Sequence, residues 1–112
     1  MKKVDAAEFR EIVQNHPYVV VKFGANWCGP CRQLSPIIKL VEPNFPQIEF
    51  LEIDVDYELD LAVEFEVRGL PNIVFVSHGE TLKDSNGEIK RLIGEQSLNV
   101  LTKAFESLLT KP

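Results

Sequence analysis

Short runs of apolar residues alternate with helical patterns along most of the chain. Residues 19–23, 48–54 and 72–76 are rich in Val, Ile, Leu and Phe. Such runs are typical of strands in the middle of a sheet that helices cover on both faces. Only Lys22 interrupts the apolar side chains of the first run. We therefore predict three core strands.

Four other segments carry apolar side chains at helical spacing. Asp5 and Glu8 form the pattern of a capping box before the first helix, and Ser97 is a suitable N-cap for the last. Pro36 lies inside the second helix, where its ring and its missing N–H predict a kink. The apolar positions are Ala6, Phe9, Ile12 and Val13; Leu34, Ile37, Ile38 and Val41; Leu59, Ala62 and Val63; and Leu98, Leu101, Phe105 and Leu108.

The last part of the predicted sheet is antiparallel. An Asn-Gly pair within residues 84–87 is a strong hairpin signal, and residues 88–93 predict the strand after it. We interpret residues 78–84 as an insertion between the last two strands, and residues 1–4 as a short edge strand. The order of elements predicts an α/β fold, a mixed sheet of about five strands flanked by four helices.

Composition limits the possible architectures and partners. With 112 residues, of which 45% are apolar, and no repeat, the chain fits a single domain over 1–112. Its net charge is −5 and it has no Lys/Arg cluster, which argues against nucleic acid. No apolar stretch approaches the roughly 18 residues of a membrane span, and none follows the N-terminus as in a signal peptide. We expect a cytoplasmic monomer without nucleic-acid or membrane partners.

Cys28 and Cys31 are the only cysteines, and Gly29 and Pro30 separate them. A close pair in a reducing compartment favours redox chemistry over a permanent crosslink. Cys28 is predicted at the N-terminus of the second helix, where free N–H groups and the helix dipole favour a thiolate and lower its pKa. Cys31 is expected to point inward among apolar side chains and to remain a thiol.

A structural or metal-binding pair is the alternative interpretation of these cysteines. A tetrahedral zinc site needs about four ligands, and only His16 and His78 could add nitrogen. His16 precedes a proline at a predicted helix end and His78 precedes a glycine in a predicted turn. Both positions are more typical of helix caps or loops than of ligands, so we expect no metal.

The sequence around the cysteines resembles the active-site segment of the thioredoxin family. Residues 23–31, Phe-Gly-Ala-Asn-Trp-Cys-Gly-Pro-Cys, carry the resemblance, which extends over nearly the whole chain. Pro36 resembles the family's kinking proline, residues 50–56 its second core strand, residues 67–71 the approach to its cis-proline, and Gly94 the glycine that closes its peptide groove. The resemblance implies a thioredoxin fold and a protein-disulfide reductase with no cofactor beyond its own redox-active disulfide.

The resemblance also implies a role for each site residue. Cys28 attacks the substrate and forms a mixed disulfide, and Cys31 resolves it; a nucleophile of lowered pKa is already known for the family. Thioredoxin reductase supplies electrons, disulfide-containing proteins are the substrates, and cell redox homeostasis is the wider role. A cis Leu70-Pro71 bond, against a base rate of about 5–6% for X-Pro bonds, leaves the Leu70 backbone free to pair with substrate. The implied substrate-binding residues are Trp27, Gly29, Pro30, Leu70, Pro71 and Gly94.

Three positions depart from the family pattern. Lys22 stands where relatives carry a buried aspartate, and we hypothesise a charge-reversed pair with Glu52 that relays a proton for Cys31. The alternative is that Lys22 extends its amine to solvent over an apolar stem. Gly24 replaces a bulkier residue, and Asn72 replaces a threonine.

Two other functions are compatible with the same fold. An oxidase or isomerase shares the chemistry, but the resemblance implies that Gly29 and Pro30 favour the reducing member. A non-catalytic binding module would use the fold only as a scaffold, with both thiols incidental.

Overall fold

The computed structural model describes residues 1–110 and contains a six-stranded sheet with helices on both faces. The strands are β1 (Lys2–Lys3), β2 (Tyr18–Gly24), β3 (Glu49–Asp54), β4 (Asn72–Ser77), β5 (Glu80–Thr81) and β6 (Arg91–Ile93). The helices are α1 (Ala6–Asn15), α2 (Gly29–Val41), α3 (Leu59–Glu64) and α4 (Leu98–Leu109). Within the described residues, every helix is too short or too polar to cross a membrane.

The sheet is mixed, as the sequence predicts. Strand β2 lies at its centre, parallel to β3 and antiparallel to β4. Strand β1 pairs with β3, while β5 and β6 both pair with β4. Strands β2 and β3 finish at the same end of the sheet as the one at which β4 begins. The segments that follow Gly24 and Asp54 and the segment that precedes Asn72 therefore meet at this end.

The predicted helix caps are confirmed. The Asp5 carboxylate accepts the Glu8 N–H at 2.8 Å, and the Glu8 carboxylate accepts the Asp5 N–H at 3.2 Å. The Ser97 hydroxyl accepts the Val100 N–H at 3.2 Å. Such a cap typically stabilises a helix by about 1 kcal/mol. Pro36 lies inside α2, at the predicted place.

Two apolar clusters hold the helices on the sheet. On one face α2 and α4 pack around Phe105, whose ring centroid lies 5.1 Å from that of Phe50 and 5.6 Å from that of Phe45. On the other face α1 and α3 pack around Phe65, whose ring centroid lies 5.7 Å from that of Phe9. Edge-to-face aromatic pairs at these separations add about 0.5–1.5 kcal/mol to their burial.

Helix α3 lies where the sequence predicts it, but its apolar residues do not all face the core. Leu61 is the buried residue of the helix. Leu59 and Val63, which helped to predict the helix, are largely exposed. An exposed apolar face on a short helix suggests an interaction surface.

Strands β5 and β6 occupy two parts of one edge position beside β4. Thr81 opposes Val76, and Arg91 opposes Val74. Between them the Leu82 N–H donates to the Phe75 carbonyl at 2.8 Å. The chain therefore leaves the sheet after Leu82 and rejoins it at Arg91, and we call the intervening residues 83–90 the excursion.

The predicted insertion at residues 78–84 is wrong. His78 and Gly79 form the tight turn between β4 and β5, with φ angles of 53° and 81°. Positive φ at both central residues matches the twist of a two-residue hairpin. The Asn-Gly pair is a second turn, at the tip of the excursion, and the strand predicted over 88–93 is only Arg91–Ile93. Both dipeptides signal turns, and only pairing with β4 decides which residues are extra.

Candidate active site

Cys28 and Cys31 lie at the start of α2 and are joined by a disulfide, with their Cα atoms 5.3 Å apart. Cys28 is the N-cap, and its Sγ accepts the Cys31 N–H at 3.2 Å. Pro30 lies in the first turn, where its missing N–H costs no hydrogen bond. The Cys28 sulfur is thus at the positive end of a helix, in contact with a backbone donor, as predicted.

Trp27 covers the site from outside and is 68% exposed, which agrees with the predicted exposure of its indole. Its Nε1–H donates to the Asp56 carboxylate at 2.9 Å. Asp56 is itself positioned by its N–H, which donates to the Asp54 carboxylate at 2.9 Å. Asp56 was not among the residues predicted for the site, although an acidic residue close after the second core strand was available as a signal.

The Leu70-Pro71 bond is cis, as the resemblance implies. Leu70 packs with Val55 against the two cysteines. The Pro71 carbonyl accepts the Gly94 N–H at 2.9 Å, and Gly94 has a positive φ of 84°. These contacts place the segment before β4 beside the disulfide.

An open groove of about 840 Å³ runs between Cys28 and α3. Of the predicted substrate-binding residues, Trp27, Gly29, Pro30 and Leu70 line it. Pro71 and Gly94 lie behind Leu70 and are joined by the hydrogen bond described above. The opposite wall includes Leu59 and Val63, which explains the apolar side chains exposed on α3. Leu59 and Val63 were predicted as helix positions and not as part of the substrate-binding site.

Beneath Cys31, Lys22 and Glu52 form an ion pair. They oppose each other on β2 and β3, with Nζ and Oε2 3.0 Å apart. The Lys22 ammonium also donates to the Cys31 carbonyl at 3.2 Å and to the Ser35 hydroxyl. Its three N–H groups therefore have three acceptors. The hypothesised pair is confirmed, and the alternative in which the amine reaches solvent is wrong, because Lys22 is 1% exposed.

A small cavity of about 110 Å³ is lined by both residues of this ion pair and by Cys31. Gly24 lines it as well, and a Cβ there would lie 3.4 Å from Cys31 Sγ and 3.5 Å from Lys22 Cε. A water molecule takes roughly 30 Å³ and needs polar partners, which Lys22, Glu52 and Ser35 supply. The expectation of purely apolar surroundings for Cys31 is therefore wrong on this side.

The two histidines lie at the opposite end of the strands from the cysteines. The His16 ring is 3.6 Å from the Glu49 carboxylate, where β3 begins, and the His78 ring is 3.1 Å from the Ser77 hydroxyl, where β4 ends. Neither can complete a zinc site with the cysteine pair. Residues 1–110 bring together no group of three or more His, Cys, Asp or Glu side chains suited to a metal ion.

The chain is similar in sequence and in structure to known proteins. The thioredoxin family model matches residues 1–98. Thioredoxin H2 of Arabidopsis thaliana is 40% identical over 86 residues, which cover 77% of this chain and 59% of that protein. This chain thus spans about three fifths of the length of that relative. The thioredoxin of Oryctolagus cuniculus is 32% identical over 90% of this chain and 98% of its own.

A solved structure agrees with these sequence matches. Oxidized mitochondrial thioredoxin 3 from Saccharomyces cerevisiae superposes with a TM-score of 0.80 at 30% identity, over 96% of this chain and 95% of that one. The fold, the Cys-Gly-Pro-Cys disulfide at a helix N-terminus and the sequence matches agree: the chain belongs to the thioredoxin family.

Proposed function

We propose that this protein is a thiol-disulfide oxidoreductase that reduces disulfides in other proteins. The observation that carries the proposal is the Cys28–Cys31 disulfide at the N-terminus of α2, beside an open apolar groove. A thiolate is the attacking species in disulfide exchange, and a helix N-terminus stabilises it. Membership of the thioredoxin family supports the same chemistry.

The reduction proceeds in two exchange steps. In the first, the Cys28 thiolate attacks one sulfur of the substrate disulfide, and the other substrate sulfur leaves as a thiolate that takes up a proton. In the second, Cys31 loses its proton and attacks Cys28 Sγ, which releases the remaining substrate sulfur as a thiol after protonation. The protein gains a Cys28–Cys31 disulfide, and the substrate gains two electrons and two protons.

Cys31 needs a proton acceptor for the second step. Glu52 is 32% exposed at the mouth of the cavity beneath Cys31, and Lys22 lies inside it. We assign Glu52 the role of accepting the proton through a water in this cavity, with the Lys22 ammonium stabilising the Cys31 thiolate as it forms. Where the resemblance implies a buried aspartate, this chain has a lysine paired with a glutamate. Proton acceptance and thiolate stabilisation are then both carried by this one ion pair.

An extended segment of substrate fits beside Cys28. The Leu70 backbone adjoins the disulfide and offers main-chain hydrogen bonds to an added strand, while Pro71 and Gly94 hold it in place. Trp27, Gly29 and Pro30 form the rest of the contact around the sulfur. Pairing through the backbone suits many substrate sequences, because it does not depend on their side chains.

The electron donor in this proposal is a thioredoxin reductase, and no cofactor is needed beyond the disulfide itself. A reducing role also requires a compartment in which thiols stay reduced, and we propose the cytoplasm and a part in cell redox homeostasis. Fractionation of cells followed by immunodetection tests the compartment. Recovery of the protein only from an oxidising compartment would contradict this assignment.

The proposed function is tested by NADPH oxidation in the presence of thioredoxin reductase and insulin. Wild type should sustain NADPH consumption, and Cys28→Ser should abolish it. Cys31→Ser should attack insulin once and then accumulate as a mixed disulfide, visible as a mass shift that dithiothreitol reverses. No insulin reduction by wild type, or no trapped species with Cys31→Ser, would refute the two-step mechanism.

The reduction potential separates a reductase from an oxidase or isomerase of the same fold. The reduction potential of reducing members is about −270 mV, whereas that of disulfide isomerases is about −180 mV and that of oxidases about −120 mV. Equilibration with defined glutathione or dithiothreitol buffers gives the value directly. A reduction potential above about −200 mV would favour an oxidase or isomerase over a reductase.

A further inference from the structure

The segment between α3 and β4, residues 65–71, is held by two linked side chains from outside it. Arg91 donates through Nη2 to the Phe65 carbonyl at 2.8 Å and through Nη1 to the Asn72 side-chain carbonyl at 3.1 Å. Asn72 in turn donates through Nδ2 to the Gly69 carbonyl at 3.2 Å. One continuous set of hydrogen bonds therefore fixes the segment near both of its ends.

The chemistry of the two side chains leaves one arrangement. A guanidinium has donors only, so the Asn72 oxygen must face Arg91 and its NH₂ group must face the Gly69 carbonyl. Asn72 is fully buried, and a buried amide that loses a partner is left with an unsatisfied polar group, which is destabilising. The two bonds of Arg91 use its planar fork, which a lysine cannot reproduce.

Leu70 is the residue that these bonds enclose. Gly69 before it accepts from Asn72, and Pro71 after it accepts from Gly94 at 2.9 Å. Leu70 also packs against the cysteine pair. Any movement of the Gly69 carbonyl therefore moves the Leu70 peptide relative to Cys28.

We propose that Arg91 and Asn72 are positioning residues that hold the Leu70 peptide in the orientation required to pair with an extended substrate. The inference rests on the proposed function, because it concerns how that site binds protein substrates. Arg91 is well placed for the role, since it is the residue at which the excursion rejoins β4. Neither residue touches a sulfur in this arrangement, so their effect is on substrate binding and not on the exchange chemistry.

The test compares a protein substrate with a small one that has no backbone to pair. Insulin reports binding and exchange together, and 5,5′-dithiobis(2-nitrobenzoate) reports exchange alone. Arg91→Met should raise KM for insulin about three- to tenfold, the loss expected when about 1 kcal/mol of binding disappears, with kcat changed less than twofold. Its rate with the small disulfide should stay within twofold of wild type.

Arg91→Lys and Asn72→Thr provide graded variants. Lysine keeps the charge but lacks the planar fork that reaches both the Phe65 and the Asn72 carbonyls, so KM should fall between wild type and Arg91→Met. Asn72→Thr should resemble Arg91→Met, because the bridge to the Gly69 carbonyl is lost. These two variants carry the test if Arg91→Met does not fold.

Arg10→Met is the matched control. The Arg10 guanidinium also links two distant parts of the chain, through a 2.7 Å bond to the Glu64 carboxylate, but Arg10 is exposed and does not bond to residues 65–71. It should leave both substrates unaffected. The proposal is overturned if the Arg91 and Asn72 variants lose activity equally with both substrates, or if folded variants keep the wild-type KM for insulin. Failure of wild type to reduce insulin would instead refute the proposed function.

Discussion

The Lys22 ammonium and the Glu52 carboxylate face each other across adjacent parallel strands, 3.0 Å apart, and the ammonium also donates to the Cys31 carbonyl at 3.2 Å. The lysine is 1% exposed and the glutamate is 32% exposed. Burying a cation is tolerated here because each N–H of the ammonium has an acceptor, and because the carboxylate keeps contact with solvent. This asymmetry determines which partner is the more costly to remove.

Replacing Glu52 by Gln should destabilise the oxidised protein by about 3 kcal/mol, the lower end of the range for breaking a buried pair, because it leaves Lys22 buried without a counter-charge. Urea unfolding monitored by Trp27 fluorescence measures the change. Glu64→Gln is the matched control, since it breaks the exposed pair with Arg10, in which the carboxylate raises the pKa of the guanidinium. Exposed pairs contribute about 0–1 kcal/mol, so equal losses in the two variants would contradict our account.

Lys22→Met should slow the resolution of the mixed disulfide with little loss of stability. Methionine fills a similar volume, and Glu52 can be hydrated from its exposed side. Stopped-flow release of a chromophoric thiol from the mixed disulfide measures the step. A release rate equal to wild type at every pH from 6 to about 9, on either side of the ordinary cysteine pKa, would eliminate the relay.

The Cys28 thiol should have a pKa below that of free cysteine, because it caps α2 and accepts the Cys31 N–H at 3.2 Å. This depressed pKa also makes the stability of the reduced protein depend on pH. A depressed pKa in the folded protein stabilises the reduced form fully above the unfolded pKa of about 8.5, and this contribution is lost as pH falls through the folded pKa. Thiolate absorbance of Cys31→Ser, folded and in urea, measures both values. Identical titrations would refute this prediction.

Trp27 and Asp56 should act as one unit. Loss of the 2.9 Å bond frees the exposed indole, so Asp56→Ala and Trp27→Phe should each raise KM for insulin by a few fold. In a double-mutant cycle the two effects should not add, with a coupling of about 0.5–1.5 kcal/mol. Full additivity would mean that the bond has no part in substrate binding.

Deleting residues 83–90 should preserve the fold. Leu82 is bonded opposite Phe75, and Arg91 opposes Val74, so the deletion joins two consecutive positions of one edge strand. The main loss is the packing of half-buried Ile89 against the α1/α3 cluster, worth about 1–2 kcal/mol. Circular dichroism and thermal unfolding measure the outcome. An unfolded product would show that the excursion is needed to pair β6 with β4.

The sequence by itself determined the four helices, the three core strands and the place of the cysteine pair before the second helix. Capping residues, apolar spacing and the position of Cys28 before α2 act over a few residues, so they can be recognised without the fold. The pairing of Lys22 with Glu52 was predicted from the resemblance to the thioredoxin family, and the strand register that aligns the two residues came from the structure. The cysteine pair alone indicated redox chemistry.

Tertiary structure decided what depends on residues far apart in the chain. Pairing with β4 showed which residues form the excursion, since the sequence offers two turn signals, His78-Gly79 and Asn86-Gly87. Leu59 and Val63 line the groove and do not pack in the core. The hydrogen bond from Arg91 to the Phe65 carbonyl joins residues that no local sequence pattern connects. Hydrogen-bond partners and exposed faces are set by packing, and packing is a property of the whole molecule.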